Sequence, residues 1–175
     1  YLRTAATLHD FGKATPQFQA HVRPEETATC PDKETTHARL GALATWYVLG
    51  ELDAPDRDQL AGTLAVARHH QALPNAAQYT AETLARAFEE DDVVIQAQLD
   101  GINDTWPEVV TGLLEQTPVP NPDWNEFYTW AMSGDVSSEL RDLSARSTLS
   151  GYKLTQDSLP DQLYDRTLRY WSALT

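Results

Sequence analysis

Apolar residues recur at three- and four-residue intervals along almost the whole chain, the period of helices that bury one face. The spacing predicts a short helix over residues 1–11 that delivers His9 and Asp10 at its C-terminal end, with Gly12 as the stop. Thr15 followed by Pro16 is a cap and first-turn pair, opening a second helix whose apolar face carries Phe18 and Val22. Residues 23–36 are polar and aperiodic and read as a loop. From His37 a helix runs through Leu40, Leu43, Ala44, Tyr47 and Val48 until Asp53-Ala-Pro-Asp56 punctuates it. The next, over residues 57–70, turns Leu60, Leu64 and Ala67 inward and ends in His69-His70, before the breaker Leu73-Pro74-Asn75. A long helix follows over residues 76–99, open to interruption at the acidic run 89–92, which reads as a solvated face. Shorter helices fall over residues 106–114, 124–132, 137–149 and from Pro160 onward, with the proline-rich run 118–122 as a rigid connector. No segment alternates as a strand would, so the pattern predicts an all-α fold.

Length changes this picture little: 175 residues make one domain with a sizeable core. The chain opens and closes in helical rhythm, without a start or stop signal at either end. It therefore reads as a single domain over residues 1–175 cut from something longer at both ends. Charge matters more. Thirteen basic residues stand against 26 acidic ones, a net charge of −13, with three lysines and more aspartates than glutamates. Low lysine with high aspartate resembles the composition of salt-adapted proteins, where it serves solubility under heavy screening. An acidic balance normally counts against a nucleic-acid partner, because neutralising phosphates with Lys and Arg dominates that affinity. A composition set by salt weakens the objection. One cysteine, Cys30, excludes an internal disulfide, reads as an incidental surface thiol and fits a cytoplasmic setting. No apolar run approaches a membrane span and no signal-peptide pattern appears.

The chemistry lies in the histidines. There are five, and four of them, His9, His37, His69 and His70, fall at or near predicted helix ends. His9 is followed by Asp10, whose carboxylate can bridge two ions, and Lys13 lies within reach of both. Several neutral imidazoles with a carboxylate are what a hydrolytic divalent-metal site needs, since a metal ion acidifies water near neutral pH and two ions can clamp a phosphoester. Helical bundles build such sites from ligands on separate helices. His69 and His70 point about 100° apart on an ideal helix, so sharing one cluster requires the helix to end there. His21 is the one left over and reads as a surface residue.

Three motifs carry a resemblance. The run His9-Asp-Phe-Gly-Lys-Ala-Thr-Pro-Gln-Phe-Gln19 resembles the signature of the HD nuclease domain of the CRISPR-associated type I nuclease-helicase. His37-Ala-Arg-Leu-Gly-Ala42 is similar to that family's third motif, and Arg68-His-His-Gln-Ala-Leu-Pro74 to its paired-histidine motif. The resemblance implies an HD-domain helical bundle with metal ligands at helix ends, holding one or two divalent ions (Mn, Ni, Co, Fe or Mg). It implies cleavage of single-stranded DNA. His9 and Asp10 would bind the first ion with Asp10 bridging, His37, His69 and His70 the second, and Lys13 would lie near the scissile phosphate. Asp10 and Lys13 are thus the catalytic candidates. The family's further upstream histidine, and its late aspartate after a Ser-Ala-Leu segment such as Ser172-Ala-Leu174, are expected outside this sequence. The implied partners are single-stranded DNA, a CRISPR surveillance complex and a helicase domain fused on the C-terminal side. Two other readings compete: an HD-type nucleotide or cyclic-dinucleotide phosphohydrolase, and a catalytically inactive HD scaffold. The cyclic-dinucleotide group carries a Gly-Tyr-Pro stretch after its histidines, which is absent here, and the matching histidines with Asp10 and Lys13 argue against decay.

Overall fold

Leu40, Ala42, Leu43, Ala44, Trp46, Val48 and Leu49 are all buried on one helix, α3 (Ala38–Glu51), around which the rest assembles. The computed structural model describes residues 1–23, 37–70, 80–119, 123–149 and 159–174, and these form ten α-helices with no strand. The others are α1 (Leu2–Leu8), α2 (Pro16–Val22), α4 (Asp56–Arg68), α5 (Ala81–Glu90), α6 (Asp92–Thr105), α7 (Pro107–Leu114), α8 (Trp124–Ser133), α9 (Asp135–Leu149) and α10 (Leu159–Trp171). A 3-10 turn, Phe11–Ala14, joins α1 to α2. The all-α expectation holds. No helix among the described residues is long and apolar enough to cross a membrane. Cys30, most of the 23–36 loop, Leu73-Pro74-Asn75 and residues 120–122 lie outside the described residues.

α3 and α4 form an antiparallel pair closed by a short turn. Asp53 enters the left-handed region there (φ 49°), a conformation that a short polar side chain tolerates. Gln59 on α4 donates to the Trp46 carbonyl of α3 (2.9 Å). α10 runs beside α4, Arg166 bonding Asp58 (2.5 Å) and Tyr170 lying over Gly62. α5 pairs with α9 through Ser137 on the Ala85 carbonyl (3.2 Å) and a two-pronged Arg141–Glu89 bond (2.5 and 2.7 Å). Glu139 on α9 accepts from the indoles of both Trp46 (2.7 Å) and Trp130 (2.8 Å), tying α9 to α3 and α8.

The helix expected over residues 76–99 is interrupted where the acidic run left it open to be, at Asp91, which separates α5 from α6. Three other expectations are corrected. That run is no mere solvated face: Asp91 pairs with Arg39 (2.9 Å) and Glu89 with Arg141, so two of its acids cross-link helices. α2 starts as expected, with Thr15 accepting from the Phe18 amide (3.2 Å), but it buries nothing, and Val22 is 51 % exposed. Gly12 is not a left-handed stop either. α1 ends at Leu8 and Gly12 sits inside the 3-10 turn.

Two glycines set how closely the elements approach. A Cβ on Gly12 would collide with the backbone of His37, and one on Gly41 would lie 2.6 Å from the His9 carbonyl oxygen. Gly112 on α7, by contrast, has open space where its Cβ would be. Gly41→Ala should therefore destabilise the protein by about 1–3 kcal/mol through overpacking, while Gly112→Ala should stabilise it by up to about 1 kcal/mol from helix propensity. Urea unfolding of both variants checks the pair, and equal signs would refute the packing assignment.

Candidate metal centre

The site forms where two helices end and a third begins. α1 stops at Leu8, so His9 caps it and Asp10 enters the 3-10 turn. His37 is the N-cap residue of α3, and α4 stops at Arg68, which frees His69 and His70 from a helical face. The rings of His69 and His70 consequently sit 3.9 Å apart, and both reach the same centre. Gly12 against the His37 backbone and Gly41 against the end of α1 bring these pieces within side-chain reach.

Asp10, His37, His69 and His70 each offer a ligand atom, all within 4.8 Å of one another. The two Asp10 oxygens face different partners. Oδ1 lies 3.5 Å from His37 Nε2 and 3.8 Å from His69 Nε2. Oδ2 lies 3.3 Å from His9 Nε2 and accepts a bond from Lys13 Nζ (2.8 Å). His9 stands just outside the four-residue group, on the Oδ2 side, its ring edge-on to His69 (5.2 Å). His21 is exposed on α2 and is not part of the group.

Backbone carbonyls fix the tautomers. His9 Nδ1 donates to the Ala6 carbonyl (2.7 Å) and His69 Nδ1 to that of Val66 (2.6 Å). A carbonyl can only accept, so each neutral ring presents a bare Nε2 lone pair to the centre. His69 Nε2 and Asp10 Oδ1 are both buried without a hydrogen-bond partner. Buried acceptors facing one another without a donor are costly, and a cation between them removes the cost. His37 Nε2 and His70 Nε2 lie 2.8 Å apart, at hydrogen-bond distance, which brings both nitrogens to the same centre. The donor set therefore fits one or two divalent ions. Imidazole and carboxylate ligands accept several transition metals, and geometry and availability decide among them.

Electrostatics act in the same sense. Burial, with repulsion from His70, His69 and Lys13, pushes His37 down to about 4. Burial also lowers His69, against its Val66 bond, with His70 and His9 assisting. For Asp10 burial opposes ionisation, but the Lys13 hydrogen bond and the charges of His9, Lys13 and His37 outweigh it and lower its pKa. At neutral pH His37 and His69 are thus neutral imidazoles and Asp10 a charged carboxylate, the forms that bind a metal ion.

Several supporting groups were not read from the sequence. Phe18 sets its ring edge-on against His37 (5.1 Å), and Gln19 Nε2 donates to the Lys13 carbonyl (2.7 Å). Trp106, from the junction of α6 and α7, donates to the Ala14 carbonyl (2.5 Å) and clamps the 3-10 turn from the far half of the domain. The signal for Ala6 and Val66 was available: a histidine just past a helix end can turn back to the carbonyl three residues before it.

The depressed His37 pKa makes a prediction for metal-free protein. Folded His37 titrates near 4 and an unfolded imidazole near 6.5. Between those values the unfolded chain binds more protons, so stability is complete above about 6.5 and is lost as pH falls towards 4. Melting temperatures of chelated protein across that window should fall more steeply for the wild type than for His37→Gln. Parallel curves would contradict the burial of a neutral His37.

The family model described as "Cas3, HD domain" matches residues 1–140. The chain is also 60% identical, over all 175 of its residues, to the CRISPR-associated nuclease/helicase Cas3 of Haloferax volcanii, of which it spans 18%. No solved structure gives a significant match. With four fifths of its length matched by the family model and four of its five histidines gathered around one aspartate, the chain belongs to the Cas3 HD-domain family.

Proposed function

We propose that this domain is a metal-dependent nuclease that hydrolyses phosphodiester bonds of single-stranded DNA in CRISPR interference. The observation that carries the reading is the pair of unpartnered buried acceptors, Asp10 Oδ1 and His69 Nε2, inside a cluster of imidazoles in which Val66 and Ala6 turn the bare Nε2 of His69 and His9 to the centre. In this reading His9 and Asp10 would hold one ion, and His37, His69 and His70, with Asp10, would hold the other. When bound, a divalent ion supplies Lewis acidity, acidifying water and offsetting charge on the phosphoryl oxygens. The protein's own groups do the rest. Lys13, half exposed at the mouth, holds Asp10 Oδ2 and offers its ammonium to a phosphate oxygen. Ala6 and Val66 keep two rings fixed, and mutating such supporting contacts typically costs about 10–100-fold in metal affinity or activity.

The Haloferax relative couples nuclease to helicase by name, and the present chain spans 18% of it. This supports a helicase continuous with this domain; in the proposed reading that helicase would feed it a single strand, and a surveillance complex would deliver the target. Sequence choice would then belong to guide pairing, with the displaced strand as substrate.

Circular single-stranded DNA at high salt is the discriminating substrate, with Mn²⁺, Ni²⁺, Co²⁺, Fe²⁺ or Mg²⁺ returned to chelated protein. Cleavage should appear with at least one metal and fall by about a hundredfold or more in Asp10→Ala. Lys13→Ala should leave metal binding intact while slowing cleavage. Folded, metal-loaded protein that leaves DNA whole yet hydrolyses mononucleotides or cyclic dinucleotides would replace this reading with a phosphohydrolase.

A further inference from the structure

In a chain carrying 26 acidic residues, the described elements that lead into the site along the chain, α1, the 3-10 turn and α2, carry none. Asp10, which belongs to the site, is the sole acid among residues 1–23, and the other 25 lie beyond them. Every helix from α3 onward carries at least one acid, whereas α1 and α2 carry none. α2 is unusual in a second way: alone among the described helices, it buries none of its residues. Its residues 16–20 are half-buried and His21 and Val22 are exposed, so the helix offers solvent-facing positions that the core does not dictate. In this chain it would be the natural place for acidic residues, yet it reads Pro-Gln-Phe-Gln-Ala-His-Val and runs into Arg23.

α2 is nevertheless held firmly in place. Thr15 caps it, and Gln17 Nε2 donates to the Ala97 carbonyl of α6 (3.0 Å). Its other side abuts the site, through Phe18 on His37 and Gln19 on the Lys13 carbonyl. Arg23 Nη2 then reaches Gln19 Oε1 (3.4 Å). A continuous polar line therefore leads from Asp10 through Lys13 and Gln19 to Arg23, the last two being one helical turn, about 6 Å, apart. His21, Val22 and Arg23 are exposed at its outer end.

We propose that α2 is the bed on which single-stranded DNA lies as it enters the site, its phosphates passing from Arg23 by Gln19 to Lys13. This rests on the nuclease reading above. The physical reason is contrast. A phosphate backbone is repelled by the acidic surface elsewhere and, among the described residues, meets a neutral-to-basic lane along α2, which focuses it on the metal centre. Such contacts fix position along the strand and read no bases.

The test uses the chain with metal chelated and a fluorescent oligothymidylate, anisotropy being followed across a salt series. The variants are Arg23→Glu and Val22→Glu on α2, with Arg86→Glu on α5 as an equal charge reversal elsewhere. Both α2 variants should bind about tenfold or more weakly, with the salt slope reduced by about 0.7 for each phosphate no longer neutralised. Arg86→Glu should bind as the wild type does, and the Co²⁺ absorption spectrum should be unchanged in all three. Wild-type affinity in both α2 variants, in a protein that cleaves single strands, would overturn the proposal and leave the nuclease reading standing. So would weakened binding accompanied by an altered Co²⁺ spectrum, which would mark a distorted site. A wild type that neither binds nor cleaves single strands with any metal would overturn both.

Discussion

Backbone meets backbone where Gly12 lies against His37, and the geometry of the centre depends on that contact. The turn Phe11–Ala14 carries Asp10 at its start and Lys13 near its end, while His37 opens α3. Were a side chain interposed at residue 12, the carboxylate and the imidazole would separate and the cluster would lose its shared point. Gly41 performs the same service one turn along α3, letting that helix close on the carbonyls of Leu8 and His9. The core of α3 and α4 then acts as a frame. Because α4 packs antiparallel on α3, its end comes back to the beginning of α3, and His69-His70 arrives where His37 starts. Loop closure does the positioning, and the rigid helices hold it.

Such an arrangement is expensive without a cation. Four imidazole nitrogens and two carboxylate oxygens crowd together, and among the described residues Lys13 and the hydrogen bond between His37 and His70 supply the donors inside the cluster. An apolar core of the same volume would be the more stable fold, so the polar cluster is retained at a cost in stability. The second row shows how the cost is contained. Ala6 and Val66 satisfy the Nδ1 protons of His9 and His69, so the unsatisfied atoms of the cluster are those aimed at the centre. Trp106 and Gln19 likewise satisfy carbonyls of the turn that a regular helix would have paired.

How much of this was legible follows from the range of each signal. Helix period is local, so α3 and α4 were readable with their inward residues, and the helix ends at His37 and His69 followed from neighbouring breakers. The cluster itself was readable because histidine is scarce here and four of five sit at such ends. Pattern failed where the partner lay far along the chain. Asp91 and Glu89 looked solvated because Arg39 and Arg141 each stand 52 residues away. Phe18 looked like core because periodicity reports that a ring is sheltered without saying by what, and its neighbour is an imidazole. Gly12 looked like a helix stop because a glycine required for close approach and one required for a left-handed turn are the same letter.

The acidic composition and the site make opposite demands on one surface, and the fold separates them in sequence. Salt adaptation favours carboxylates wherever side chains meet solvent, but a carboxylate near the centre would compete for its cation and repel a phosphate. The separation is possible because, among the described residues, the acid-poor exposed surface near the centre is contributed by α1, the 3-10 turn and α2, three consecutive elements. From α3 onward the acid-free stretches that occur, such as residues 38–50 and 61–68, are largely buried and need no solvating charge. Arg39, a cation near the start of α3, is bound to Asp91 rather than offered to the site, so Lys13 is the lysine or arginine that meets Asp10. On the reading proposed above, a DNA strand would approach from the side that the first 23 residues define, and the acids elsewhere would sharpen that choice by repelling it from their own surfaces.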